Sequence, residues 1–298
     1  MIATARVVLG AAMFIDGVMF LWFGLTVLSV AFVAIDVRRT PENPVMKWGF
    51  VLLTLYAGPF AAFLYVLGCR EPLPGLHERY VAVRWRQVLG STMHCVAGDG
   101  VGILAGAVIG AAIALPVLAD LALEYILGFG FGWAIFQALF MRAMAGGSYA
   151  KSLRATFMSE LLSMNCLMGG MIPMSTLAWR GVAEAHDPLD PLFWFRMSIA
   201  LMTGFVVAYP MNWWLVANHL KHGMMTVRRA DAEAGADAMA GMDMGASAKS
   251  SGKMAMGSAT QTVSAARPPL AVMTVVSILV LLAGLLVSWA FGGLSTGG

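Results

Sequence analysis

About seven stretches of roughly 20 apolar residues recur along this 298-residue chain, and they decide the class of fold. A run of that length crosses the hydrocarbon core of a bilayer as an α-helix. Inside lipid the backbone must satisfy its own hydrogen bonds, which leaves helices or closed barrels, and the alternation of a barrel strand is absent. Only 12% of residues are charged, against about 25% in soluble domains, too few to clothe a water-soluble globule. The expectation is an all-α, polytopic membrane helix bundle of about seven transmembrane helices. Their places are roughly 10–35, 48–68, 91–115, up to 141, 156–178, 193–216 and 269–291. The pair Gly58-Pro59 predicts a kink in the second. The first run lacks a small-residue cleavage site before its charges and reads as a span. Residues 1–225 form a six-span domain, 226–268 a flexible Met-rich linker, and 269–298 a C-terminal transmembrane helix.

The third run carries the densest chemistry. It opens with Met93, His94, Cys95 and Asp99, which can hold a metal or a proton. Gly98, Gly102, Gly106 and Gly110 follow at i+4 spacing, a small-residue ladder on which another helix can pack closely. Cys95 and Asp99 are i+4 neighbours beside that ladder.

Twenty-three methionines add a second theme. Met164, Met168 and Met171 fall on one predicted helix face, with Glu160 at its start. Thioether and thiolate donors select Cu(I), so these residues extend a candidate copper path from His94 and Cys95. Met239, Met242, Met244, Met254 and Met256 stand in the linker, where core packing does not explain them, and suit a Cu(I) tether. Asp16, Asp99 and Glu160 are carboxylates within spans and form a candidate proton path. Pro210 and Asn212 interrupt the sixth span and are candidates to line a cavity. His219, Lys221 and His222 fall at the membrane edge and are expected in solvent. Three cysteines, an odd number beside spans, argue against a disulfide framework. Net charge of +3 gives no reason to expect nucleic acid. No nucleotide, flavin or haem motif is present, and no nucleophile elbow, so the sequence gives no sign of an enzyme.

Several phrases resemble a bacterial membrane family catalogued as domain of unknown function 4396. They are VRRTPENPVMKW with LTLYAGP, STMHCVAGDG, FMSELLSMNCLMGGMIP, and DPLFWFRM with GFVVAYPMNWWLVANHLKHGMM, in order over residues 36–225. The resemblance implies a helical membrane fold with a polar centre around His94, and no established activity. Where relatives carry a second Cys four residues after the first, Asp99 stands here.

Counting Lys and Arg by loop places the N-terminus and the Met-rich linker in the cytoplasm, at a bacterial inner membrane. Three readings follow. The leading one is binding of Cu(I) and its transport or handover, with the lipid bilayer and a copper-handling protein as partners. The others are a proton-coupled small-molecule transporter and a membrane scaffold or assembly protein, with a homo-oligomer compatible with each.

Overall fold

The computed structural model describes residues 2–142, 147–224 and 269–294, with side chains from Phe14 onward. The expected linker methionines Met239, Met242, Met244, Met254 and Met256 lie outside the described residues. Among those described, every regular element is a helix. In chain order these are α1 (Ile2–Asp36), α2 (Pro44–Gly68), the short α3 (His77–Val81), α4 (Arg84–Ala112) and α5 (Val117–Gly130). A π-helical stretch (Phe131–Gln137) joins α5 to α6 (Ala138–Arg142). Then come α7 (Tyr149–Leu177), a 3₁₀ turn (Ala183–His186), α8 (Pro191–Ala217) and α9 (Leu270–Ala290). Among the described residues, six segments are long and apolar enough to cross a membrane: Phe14–Asp36, Pro44–Gly68, Arg84–Ala112, Val117–Arg142, Pro191–Ala217 and Leu270–Ala290. Helix α7 has comparable length, 29 residues, but buries Ser159, Glu160, Ser163, Asn165 and Ser175 among the other helices. Its neighbours are protein, so its sequence is more polar than that of a lipid-facing span.

Backbone approach between helices is set by small residues. Along α4, Gly98 meets Phe136 and Gly132, Gly102 meets Leu127, Gly106 meets Glu124, and Gly110 meets Asp120. The order of these contacts makes α4 and α5 antiparallel. It also means that the glycine ladder is covered by the chain's own α5 and the π-helical stretch. Helices α7 and α8 are antiparallel through Gly170 on Thr203 and Val207, and Gly204 on Leu167. Helix α9 runs parallel to α7. The Asn165 amide donates to Ser277 Oγ at 3.1 Å, Thr176 donates to Ser288 Oγ at 3.0 Å, and Gly284 abuts Gly169.

Helix α2 departs from a simple kinked crossing. Gly58 has φ 56° and ψ −140°, outside the helical region and accessible to glycine without a Cβ penalty. Pro59 follows and removes a backbone donor. The chain doubles back there. The Phe50 and Tyr65 rings lie 5.4 Å apart, whereas 15 positions along one straight helix would separate them by about 22 Å. Tyr65 hydroxyl bonds Thr40 Oγ1 at 2.8 Å and donates to Asp36 at 2.9 Å, so the end of α2 returns to the end of α1. Arg70 pairs with the same Asp36 at 2.9 Å. The two arms, about 21 and 15 Å long by helical rise, fall short of a bilayer core of about 30 Å. Irregular backbone at such depth has to be covered by protein, and Trp22 and Thr26 of α1 sit against Gly58.

With both ends of α2 at one end of the bundle, the elements sort simply. The segments 36–47, 69–86, 147–154 and 218–224, with Arg142 and the start of α9, share what we term the basic end. The other end holds residues 113–116, 178–190 and the first half of α1, where Met19, Trp22 and Phe23 pack on Ala185, Leu192 and Phe195. The start of α1 and the two flanks of the linker therefore lie at opposite ends. The loop charge count, which treated α2 as a crossing, had put them on the same side. At the mouth of the α2 hairpin, Glu42 and His77 face each other at 3.7 Å. Burial raises the Glu42 carboxyl to about 8 and lowers the His77 imidazole, so the two meet uncharged near neutral pH.

Candidate cation site

Cys95 and Asp99 stand one turn apart on α4, and α7 brings Glu160 and Ser163, also one turn apart, against them. Cys95 Sγ lies 3.2 Å from Glu160 Oε2, 3.2 Å from Ser163 Oγ and 3.6 Å from Asp99 Oδ2. One donor atom from each of Cys95, Asp99 and Glu160 lies within 4.8 Å of the others, and all three residues are buried. The remaining oxygens, Asp99 Oδ1 and Glu160 Oε1, have no hydrogen-bond partner. Both point at Gly132, where a β-carbon would overlap them. Gly132 belongs to the π-helical stretch, and π-bulges recur at functional sites because they re-aim backbone and side chains.

A cation completes the group. Lys221 Nζ donates to Asn212 Oδ1 at 2.9 Å and stands 3.6 Å from Glu160 Oε2, while Asn212 Nδ2 donates to Ser163 Oγ at 2.8 Å. The expectation that Lys221 is solvated at the membrane edge is overturned: it is 5% exposed. The reason is local. Helix α8 ends in a Schellman cap, with Leu220 N bonded to Leu215 O at 3.0 Å and His219 N to Val216 O at 3.2 Å. His219 takes the left-handed position, φ 59°, usually given to glycine. That reversal turns Lys221 back into the bundle. Nothing in the spacing of the sequence signals this, because the histidine hides the cap. Tyr56, from the first arm of the α2 hairpin, closes the site from another side. Its hydroxyl donates to the Val96 and Ala97 carbonyls at 2.9 and 2.7 Å, and its ring lies against Gly100.

The other sequence candidates fall elsewhere. Successive helix positions are 100° apart, so Met93, His94 and Cys95 face three ways. His94 lies between Phe136 and Phe140, with ring centroids at 5.5 and 5.1 Å, and Gly49 leaves room for its Nδ1. Neither ring nitrogen makes a hydrogen bond of good geometry, the Phe136 backbone being the polar group beside it. Met93 points to Cys69. Met164 reaches Gly128, next to the Asp99 carbonyl, and Met168 and Met171 are buried in the apolar core. Asn212 is at the site, whereas Pro210 is exposed on the outer face of α8. Asp16 is exposed on α1. A second ionisable set lies toward the other end of the bundle: Glu124 and Asp120 of α5 with Arg196 of α8 as the cation facing them. Glu124 Oε2 and Arg196 Nε are buried there without partners.

Residues 84–221 match the sequence model of a domain of unknown function (DUF4396). The chain carries a DUF4396 domain. No curated protein and no solved structure matches it. The DUF4396 segment is narrower than the 36–225 of the sequence resemblance. It opens at the first residue of α4 and closes at Lys221, and so contains Cys95, Asp99, Glu160, Ser163, Asn212 and Lys221. Helix α1, the α2 hairpin with Tyr56, and α9 lie outside it.

Proposed function

We propose that this membrane protein exchanges a divalent cation for protons at Cys95, Asp99 and Glu160, with Lys221 as a built-in counter-charge. The reading rests on the convergence of a buried thiol and two buried carboxyls within 4.8 Å. Ionisable groups inside a span cost roughly 2.5–3.5 kcal/mol each on insertion scales and mark ion pathways. With the Lys221 ammonium in place, the group is neutral when the two acids share one proton and Cys95 is a thiol. It is neutral again when a divalent ion has displaced that proton and the thiol proton. Exchange of one divalent ion for two protons therefore leaves no net charge in the interior at either stage. A donor set of one sulfur and carboxylate oxygens suits an ion such as Zn²⁺. Cu(I), the ion expected from the sequence, favours sulfur-rich sets, and Met93, Met168 and Met171 are turned elsewhere. Glu124, Asp120 and Arg196 supply a second polar station toward the other end of the path.

The test is Zn²⁺-driven proton release in proteoliposomes carrying an internal pH dye. The expected result is about two protons moved per Zn²⁺. Asp99→Asn or Glu160→Gln should each lower the flux about 100-fold, and Cys95→Ser about tenfold. Proton movement indifferent to any divalent ion would sink the exchange and leave a proton-coupled small-molecule carrier. A folded protein with neither activity would remove both.

We infer further that the basic end faces the cytoplasm and the N-terminus lies outside. Once α2 is a returning hairpin, 11 of the 14 Lys and Arg positions among the described residues fall in segments at the basic end, against Arg6, Arg180 and Arg196 elsewhere. Single cysteines placed at Arg39 and Arg180, in a background with Cys69, Cys95 and Cys166 changed to Ser, distinguish the two arrangements. An impermeant maleimide added to intact cells should label only the second. Labelling of the first alone would reverse the assignment.

A further inference from the structure

Three sulfurs meet at the basic end in a place separate from the carboxylate site. Cys69 caps the second arm of the α2 hairpin, Met93 lies on α4, and Met224 follows the turn that buries Lys221. All three are buried, at 0%, 0% and 3% exposure. Cys69 Sγ and Met93 Sδ are 3.7 Å apart. Two sulfurs each about 2.3 Å from a shared ion stand about 3.7–4.0 Å apart at tetrahedral to trigonal angles, so this pair already has the separation of two ligands.

The third sulfur is brought in by a missing side chain. A β-carbon at Gly90, one turn before Met93 on α4, would overlap the Met224 sulfur and would stand 3.5 Å from Cys69 Sγ. Gly90 thus leaves a cradle that sets Met224 beside Cys69, which in turn touches Met93. The group is assembled from three distant parts of the chain, and each part is held by other contacts. The α2 hairpin returns through Tyr65 to Asp36, and Gly223 packs on Gln87. Generic filling of a gap by methionine needs no thiol at its centre. One thiol with two thioethers is a donor set that selects Cu(I) over Zn²⁺ or hard cations.

We propose that Cys69, Met93 and Met224 form a site for a soft monovalent metal, Cu(I) or its redox-inert analogue Ag(I). Binding exchanges the Cys69 thiol proton for the ion, so a singly charged metal leaves the group's charge unchanged. The site shares no residue with Cys95, Asp99 and Glu160, and its existence does not depend on exchange at that centre. In sequence, Met224 directly precedes the Met-rich segment.

The test is an anaerobic titration of the full-length protein in detergent with Ag(I), against a competing chelator. The background carries Leu at Met239, Met242, Met244, Met254 and Met256, so that linker sulfurs do not contribute. One tight equivalent is expected. Cys69→Ser should weaken it by about 100-fold or more, and Met93→Leu or Met224→Leu by about tenfold. Met→Leu conserves volume, and thermal unfolding of each variant in the absence of metal checks the fold. X-ray absorption of the Cu(I) form should give sulfur neighbours alone. Tight binding that survives Cys69→Ser, or that is lost with Cys95→Ser instead, would overturn the proposal. So would a coordination sphere with oxygen or nitrogen, or no tight equivalent in the folded background protein.

Discussion

Lys221→Met should destabilise the folded protein by about 3–5 kcal/mol and stop cation–proton exchange. Removing one member of a buried ion pair leaves the other charge without compensation, and that is where the cost lies. Glu160 would lose the ammonium at 3.6 Å, and Asn212 Oδ1 would lose its donor at 2.9 Å. Met matches the length of the aliphatic stem, so packing is a minor part of the effect. The diagnostic partner is Lys221→Met with Glu160→Gln. Removing both charges should recover most of the lost stability, because no orphaned charge remains, yet leave exchange inactive. Chemical denaturation in detergent gives the first quantity and proteoliposome flux the second. A single variant as stable as the parent would mean that Lys221 does not carry the balancing charge.

Gly102→Ala should be nearly as damaging for a steric reason. A β-carbon at Gly102 would overlap the Leu127 carbonyl and crowd Gly128, and these are backbone atoms of α5 that cannot rotate aside. The helices would have to part, at about 3 kcal/mol or more. Parting α4 from α5 also pulls Asp99 from the Gly132 backbone, so metal binding should weaken along with stability. Gly24→Ala is the control. It has no neighbouring atom within 4 Å of a β-carbon, and alanine is the better helix former by about 1 kcal/mol. It should be neutral or slightly stabilising by thermal unfolding. Equal losses at the two positions would mean that the α4–α5 approach is looser than the glycine contacts require. The same ladder speaks to the scaffold reading: its small residues are covered by the protein's own helix and are not free for a second subunit.

Cys95, Asp99 and Glu160 were visible in the sequence because ionisable groups within apolar runs are costly and therefore conspicuous. Their grouping apart from His94 was not visible. Periodicity tells which residues of one helix share a face, but says nothing about which helix that face meets. Met93, His94 and Cys95 look like a cluster in a line of text, and helical geometry sends them in three directions. Tyr56 stands out in no motif, and Lys221 reads in the sequence as solvated, for a related reason. Lys221 reaches the site through the reversal at His219, and Tyr56 stands at the deep end of an arm that stops half-way, at Gly58; neither event is marked by spacing in the sequence.

The bilayer as solvent, the helical class, the approximate places of the long helices and two of the carboxyls buried among them, Asp99 and Glu160, could be read from the sequence. These follow from local quantities: run length, apolar content and the cost of a charge in lipid. It took the tertiary structure to show that α2 returns to the end it came from, that Lys221 turns back to within 3.6 Å of Glu160, and that Met224 packs beside Gly90 and Cys69. Those outcomes depend on a single positive-φ glycine, a helix cap and a missing β-carbon at Gly90. Each is one residue long, and its effect is felt only by parts of the chain far away.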